Sequence, residues 1–144
     1  MKVFIDTNIV IAKTVVTHQH HLNADQFLRQ AQSRRWTPVM SAHGIVEIFS
    51  VLTRAPYQPR ISATHVWHML QKSVLPWFEI ETLTKNDYLN LIRESAMQDW
   101  TGGRIYDAIH IQIARKAKCD RIYTFDVRHF RSIAPDLSDR IMTP

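Results

Sequence analysis

Two short apolar runs each end in an aspartate: Val3-Phe4-Ile5 leads into Asp6, and Ile122-Tyr123-Thr124-Phe125 leads into Asp126. In open α/β sheets, ligands gather beyond the carboxyl ends of the strands. If the two runs are neighbouring strands at the usual spacing of about 4.8 Å, their carboxylates converge on one point. Close carboxylates repel, and a hard divalent cation such as Mg²⁺ or Mn²⁺ relieves that repulsion through oxygen ligands. Each aspartate also has a plainer reading, as an N-cap or Asx-turn residue following a strand.

Asp107 is the most telling acid taken singly. It lies in Ile105-Tyr106-Asp107-Ala108-Ile109-His110-Ile111-Gln112-Ile113-Ala114, a helical pattern that is apolar on most of its circumference. A carboxylate there has little access to water and needs a cation, a donor network or a proton. The alternative is a first-turn aspartate that interacts with the helix dipole. Glu47 is weaker on patterning. In the segment Ala42 to Arg54, Ile45, Ile48, Phe49 and Leu52 form an apolar face, and Glu47 points about 150° from its centre. Beside His43, Ser50 and Arg54, it reads as a surface glutamate.

The frame for these acids is legible as alternating strands and helices. Lys2 to Ile5, Thr37 to Met40, Trp77 to Glu81, Arg121 to Phe125 and a short run near Arg140 to Thr143 read as strands. Helical patterns occupy Ile9 to Val16, Leu22 to Arg35, Ala42 to Arg54, Ser62 to about Leu75, the stretch after Thr84, and Arg104 to Lys118. Ser41 and Ser62 are placed to cap two of them, and Pro76 ends the fourth. This order predicts an α/β fold, a three-layer domain with a mainly parallel central sheet flanked by helices. At 144 residues, with 45% hydrophobic and 22% charged, the expectation is one domain over residues 1–144.

Composition narrows the chemistry further. Three glycines leave no glycine-rich phosphate loop, so nucleotide cofactors held that way are excluded. The single cysteine, Cys119, leaves no internal disulfide and no thiolate zinc site. Asp6 and Asn8 interrupt the N-terminal apolar run before it can serve as a signal-peptide core, and no segment approaches a bilayer-spanning length, so a cytoplasmic location with no membrane partner is expected. A net charge of +5 favours polyanionic partners. His18, His20 and His21 read as an interhelical loop rather than a metal tract, since no spacing fixes their geometry.

Four segments in order, Val3-Phe4-Ile5-Asp6-Thr7-Asn8, Ser41 through Glu47 to Arg54, Gly102-Gly103-Arg104-Ile105-Tyr106-Asp107-Ala108, and Thr124-Phe125-Asp126-Val127-Arg128-His129-Phe130, resemble the PIN-domain nucleases. Within that family the chain is most similar to the VapC-type toxins of bacterial toxin–antitoxin pairs. The resemblance implies a three-layer PIN-like fold and a Mg²⁺- or Mn²⁺-dependent endoribonuclease. Asp6, Glu47, Asp107 and Asp126 would be its catalytic and metal-binding carboxylates, Asp6 and Asp107 foremost, with Asn8 and Thr124 ordering them. It overrides the surface reading of Glu47. It further implies in-line hydrolysis leaving a 3′-hydroxyl and a 5′-phosphate, a homodimer, and a cognate antitoxin protein that blocks the cleft. Arg104, Arg115, Lys116, Lys118, Arg121, Arg128 and Arg131 flank the third and fourth acids and are candidates for the RNA backbone. Trp100 is either a stacking platform for an unpaired base or a packed loop tryptophan.

Two other readings stay open at this level. One is a Mg²⁺-dependent α/β domain carrying out phosphoryl transfer on an aspartate, although Asp6-Thr7-Asn8 offers neither an acidic pair nor an Asp-x-Asp. The other is a non-catalytic RNA- or protein-binding module that has kept the fold.

Overall fold

The central strand β1 (Lys2–Ile5) is a continuous apolar run because both of its faces are covered, as parallel strands require. In the computed structural model, which describes residues 1–144, it lies in the middle of a five-stranded sheet. The strands are β1, β2 (Thr37–Ser41), β3 (Glu79–Glu81), β4 (Arg121–Tyr123) and β5 (Ile141–Met142), in the order β3-β2-β1-β4-β5. Every pair is parallel. Both edges are blunt: β3 carries Glu79 and Glu81, and β5 has only two residues.

The helices are α1 (Thr7–Thr14), α2 (His21–Ser33), α3 (Ala42–Arg54), α4 (Ala63–Met69), α5 (Lys85–Met97), α6 (Arg104–Lys116) and α7 (Val127–Ile133). Strand side chains alternate between two cores. Val3, Ile5, Met40 and Tyr123 pack with residues of α1, α2, α3 and α4. Phe4, Val39 and Ile122 face the opposite way, onto residues of α5, α6 and α7. This period-two alternation across the sheet produces the three layers. No helix is long and apolar enough to cross a membrane.

Several boundaries differ from the sequence expectations, for local reasons. β4 stops at Tyr123 rather than Phe125, because the Phe125 amide turns to the Asn8 side chain (3.4 Å). β3 starts at Glu79, since Trp77 and Phe78 pack edge to face at 5.1 Å instead of entering the ladder. The helix capped by Ser62 changes after Met69 into a wider five-residue turn, Leu70–Val74, before Pro76. The expected helix after Thr84 forms as α5, closed by reciprocal bonds between Thr84 and Asp87. Helix α7 and the tight turn Pro135–Arg140 were not expected from patterning. Trp100 packs against the second core, as a loop tryptophan.

Candidate active site

The order β3-β2-β1-β4-β5 reverses direction between β1 and β4, and a crevice opens outside the carboxyl ends of strands at such a switch point. Register pairs Ile5 with Tyr123, so the residue facing Asp6 across the crevice is Thr124, with Asp126 two positions further on. Both aspartates occupy N-cap positions, of α1 and α7, yet neither side chain makes a capping hydrogen bond. Their carboxylates are turned to the crevice instead.

Thr124 is the hub between them. Its hydroxyl donates to Asp6 Oδ2 at 2.6 Å and accepts from Asn8 Nδ2 at 3.1 Å and from the Asp126 amide at 2.9 Å. That uses the one donor and two acceptor sites of a hydroxyl in full. Asn8 Nδ2 also donates to Asp126 Oδ2 at 3.2 Å. Asp6, only 4% exposed, is therefore held rigidly, while Asp126 is exposed and tethered by Asn8.

Glu47 reaches the same crevice from α3. The buried side of α3 is Gly44, Ile48 and Leu52, whereas Phe49, expected in the apolar face, is exposed. This rotation brings Glu47 round towards α1. A Cβ on Gly44 would stand 2.8 Å from Thr7 Cγ2, so only glycine lets the two helices approach this closely. Across that contact the Thr7 hydroxyl lies 3.0 Å from Glu47 Oε1 and 3.2 Å from Asp6 Oδ1, bridging the two acids. Asp107, in the first turn of α6, is half-buried and forms one wall of an open cleft.

His110 was missed as a site residue by sequence reasoning. It is 2% exposed, with Nδ1 2.9 Å from Ser41 Oγ and Nε2 3.1 Å from Glu47 Oε2. Ser41 Oγ meanwhile accepts from the Gly44 amide at 2.8 Å and so caps α3 as expected. The available signal was spacing: a residue three positions after Asp107 shares its helix face. Of the histidines expected in an interhelical loop, His18 and His20 precede α2, whereas His21 opens that helix. His20 stacks on Phe125 at 4.3 Å, and His21 contacts the Ala12 carbonyl.

The electrostatics divide the acids. Burial raises the Asp6 pKa, with Glu47 adding to the rise and His110 and the Thr124 bond opposing it. Burial, then the charge of Asp6, pushes Asp107 up to about 6, with Asp126 contributing and His110 and His129 opposing. Glu47 goes the other way: burial works against its charge, but the bonds and charge of His110 and the Thr7 hydroxyl lower its pKa overall. His110 is raised, because Glu47, Asp6 and Asp107 outweigh the cost of burying an imidazolium. No lysine or arginine pairs with any of the four acids. Asp6 and Asp107 therefore form a crowded, hard-oxygen pair whose ionisation a divalent cation would favour. No three acidic, histidine or cysteine side chains stand at the spacing of a complete ligand set. Two carboxylates nevertheless suit an ion of the Mg²⁺ type, which keeps several of its waters.

A family model for the PIN domain matches residues 3–135 of the chain. The chain belongs to the PIN-domain family. It is 30% identical over 123 residues to Ribonuclease VapC40 of Mycobacterium tuberculosis, a match covering 85% of each protein. Among solved structures, the fold is similar to that of M. tuberculosis VapC20, described as a sarcin-ricin loop cleaving toxin. The TM-score is 0.68 at 18% identity, over 90% of this chain and 94% of that one. It is also similar to VapBC2 of Rickettsia felis bound to a promoter DNA fragment, with a TM-score of 0.64 at 14% identity, over 100% and 99% of the two chains. At these identities the structural likenesses speak to the fold. The expected three-layer PIN fold is the one observed, with a sheet that is wholly rather than mainly parallel.

Proposed function

We propose that this PIN domain, a single unit over residues 1–144, is a Mg²⁺- or Mn²⁺-dependent endoribonuclease acting in the cytoplasm as the toxin of a toxin–antitoxin pair. The observation that carries the reading is the gathering of Asp6, Glu47, Asp107 and Asp126 at the switch point with only histidine as a cationic partner. Membership of the family and the kinship to Ribonuclease VapC40 support the activity.

Asp6 and Asp107 would hold the ion, with Asp126 and Glu47 completing the acidic surround. When bound, the ion offsets the repulsion between the acids and the anionic phosphodiester, lowers the pKa of a water, and stabilises charge on the phosphoryl oxygens. Thr124 and Asn8 fix Asp6 and Asp126 in their rotamers, so little reorganisation is needed at the reacting centre. Glu47, kept ionised by His110 and Thr7, is suited to orient a water and accept its proton. Lysine or histidine nucleophiles have no part in this scheme.

A homodimer and an antitoxin partner accompany the reading. Leu89, Ile92 and Met97 of α5 and Val46 of α3 are large apolar side chains left exposed, and such surfaces are suited to burial by a protein partner. Growth arrest on expression, relieved by the product of an adjacent gene, tests the toxin assignment.

The decisive experiment is cleavage of single-stranded RNA by purified protein with Mg²⁺ or Mn²⁺. Cleavage should disappear with EDTA and in Asp6→Asn. Equal cleavage by wild type and Asp6→Asn would remove the site assignment.

A further inference from the structure

Beside Asp107, and away from the Glu47 side of the crevice, lies a cleft of about 640 Å³ lined only by Gly103, Arg104, Asp107, Arg128, His129 and Ser132. No hydrophobic side chain lines it, and two of its six residues are arginines. Arg104 Nη2 donates to Ser132 Oγ at 2.8 Å, and that hydroxyl donates on to the His129 carbonyl at 2.7 Å. The guanidinium is thus oriented by a single neutral contact, and its other donors remain free. Arg128 and His129 are exposed, and neither forms an ion pair within the chain.

Several other cations of this half of the molecule are engaged elsewhere. Arg115 makes a two-pronged bond to Asp136 at 2.7 Å on each arm. Lys116 is tied to the Thr82 carbonyl and Asp87, and Arg131 to the Ile141 carbonyl. Arg121 leans on the Met142 sulfur at 3.7 Å. Of the basic residues that flank the third and fourth acids, Arg104 and Arg128 are the pair that share a concave surface with a site carboxylate. A guanidinium presents several fixed donors to an anion, and phosphate oxygens match that fork.

We propose that this cleft seats the RNA phosphate next to the one hydrolysed, with Arg104 and Arg128 as its anchors and His129 and Ser132 completing the cradle. The proposal rests on the nuclease reading and adds a positioning site to it. Asp107 is the shared wall: one side faces the acidic centre, and the other lies against the cationic cradle. The strand is thereby held by attraction where it would otherwise meet four negative charges.

The test separates binding from chemistry. A fluorescent single-stranded oligoribonucleotide is titrated in EDTA, so that nothing turns over, and Kd is followed against salt for wild type, the double variant Arg104→Ala/Arg128→Ala, and the control Arg115→Ala/Arg121→Ala. The double variant should bind about tenfold or more weakly. Its plot of log Kd against log salt should be shallower by about 0.7, the loss of one single-strand phosphate contact. Arg104→Lys/Arg128→Lys, which keeps the charges, should retain the wild-type slope. With Mg²⁺ or Mn²⁺ added, the alanine pair should raise KM and leave kcat little changed. An unaltered slope in the alanine pair, an equal loss in the control, or no RNA binding by the wild type would overturn the proposal. Binding that follows this pattern in a protein that never cleaves RNA would uphold the cradle and refute the nuclease reading.

Discussion

Replacing Asp107 by asparagine keeps the shape of the side chain and removes a charge that the site penalises. Burial and Asp6 raise the Asp107 pKa from 3.8 to about 6, so the folded chain holds a proton there that the unfolded chain would release. For an acid whose folded pKa lies above its unfolded one, the associated stability is complete below the unfolded pKa. It is lost as pH rises through the folded pKa. In metal-free protein near neutral pH, that loss is complete. A rise of this size corresponds to about 3 kcal/mol, and solvent screening of a half-buried carboxylate reduces it to about 1–2 kcal/mol. Asparagine stands in for the protonated acid and escapes the penalty. Asp107→Asn in EDTA at neutral pH should therefore melt above wild type by about 3–6 °C for a chain of this size. The gap should shrink as pH is lowered from about 6 towards 3.8, the interval between the two pKa values. Mg²⁺ should raise the melting temperature of wild type and leave the variant unmoved. Thermal unfolding followed by circular dichroism measures all three. A variant less stable than wild type in EDTA at neutral pH, or a gap independent of pH, would show that Asp107 is not electrostatically strained.

Three further outcomes follow from the geometry. Gly44→Ala should destabilise the fold by about 1–3 kcal/mol in denaturant titration, since its methyl group meets Thr7 Cγ2 at 2.8 Å, and it should impair cleavage by disturbing the Thr7 bridge between Asp6 and Glu47. His110→Ala strands the Ser41 hydroxyl and leaves a cavity, costing about 2–4 kcal/mol. It also withdraws the group that holds the Glu47 pKa down, so the acid limb of the kcat/KM profile should move to higher pH. Asp25, bound by Arg29 and Lys13, should titrate at about 2 by carbon NMR, and the stability it contributes should be lost progressively as pH falls from 3.8 through that value. Arg29→Met should bring its midpoint back towards 3.8.

Patterning alone shows the layered α/β architecture, because a buried parallel strand must be apolar throughout and a covering helix must be apolar along one stripe. Val3-Phe4-Ile5 and the 3.6-residue rhythm of Ala42 to Arg54 carry that information locally. Asp6, Asp107 and Asp126 stand out for the same reason, as charges placed where the local pattern asks for something else. Glu47 and His110 do not. The local periodicity of α3 puts Glu47 on a polar face, and nothing within that helix states that the face meets α1. Gly44 permits that meeting by omitting a Cβ, and the meaning of the omission depends on Thr7, 37 positions earlier in the chain. His110 resembles one more interior residue of an apolar helix until the sheet brings Ser41 and Glu47 to its two nitrogens. Likewise the seven flanking cations look equivalent along the chain. Only the fold commits Arg115 to Asp136 and leaves Arg104 and Arg128 facing a shared cleft. Burial preference acts through neighbours a few residues apart and is therefore written in the sequence, whereas the partners of a polar side chain are chosen by contacts dozens of residues away and exist only once the chain has folded.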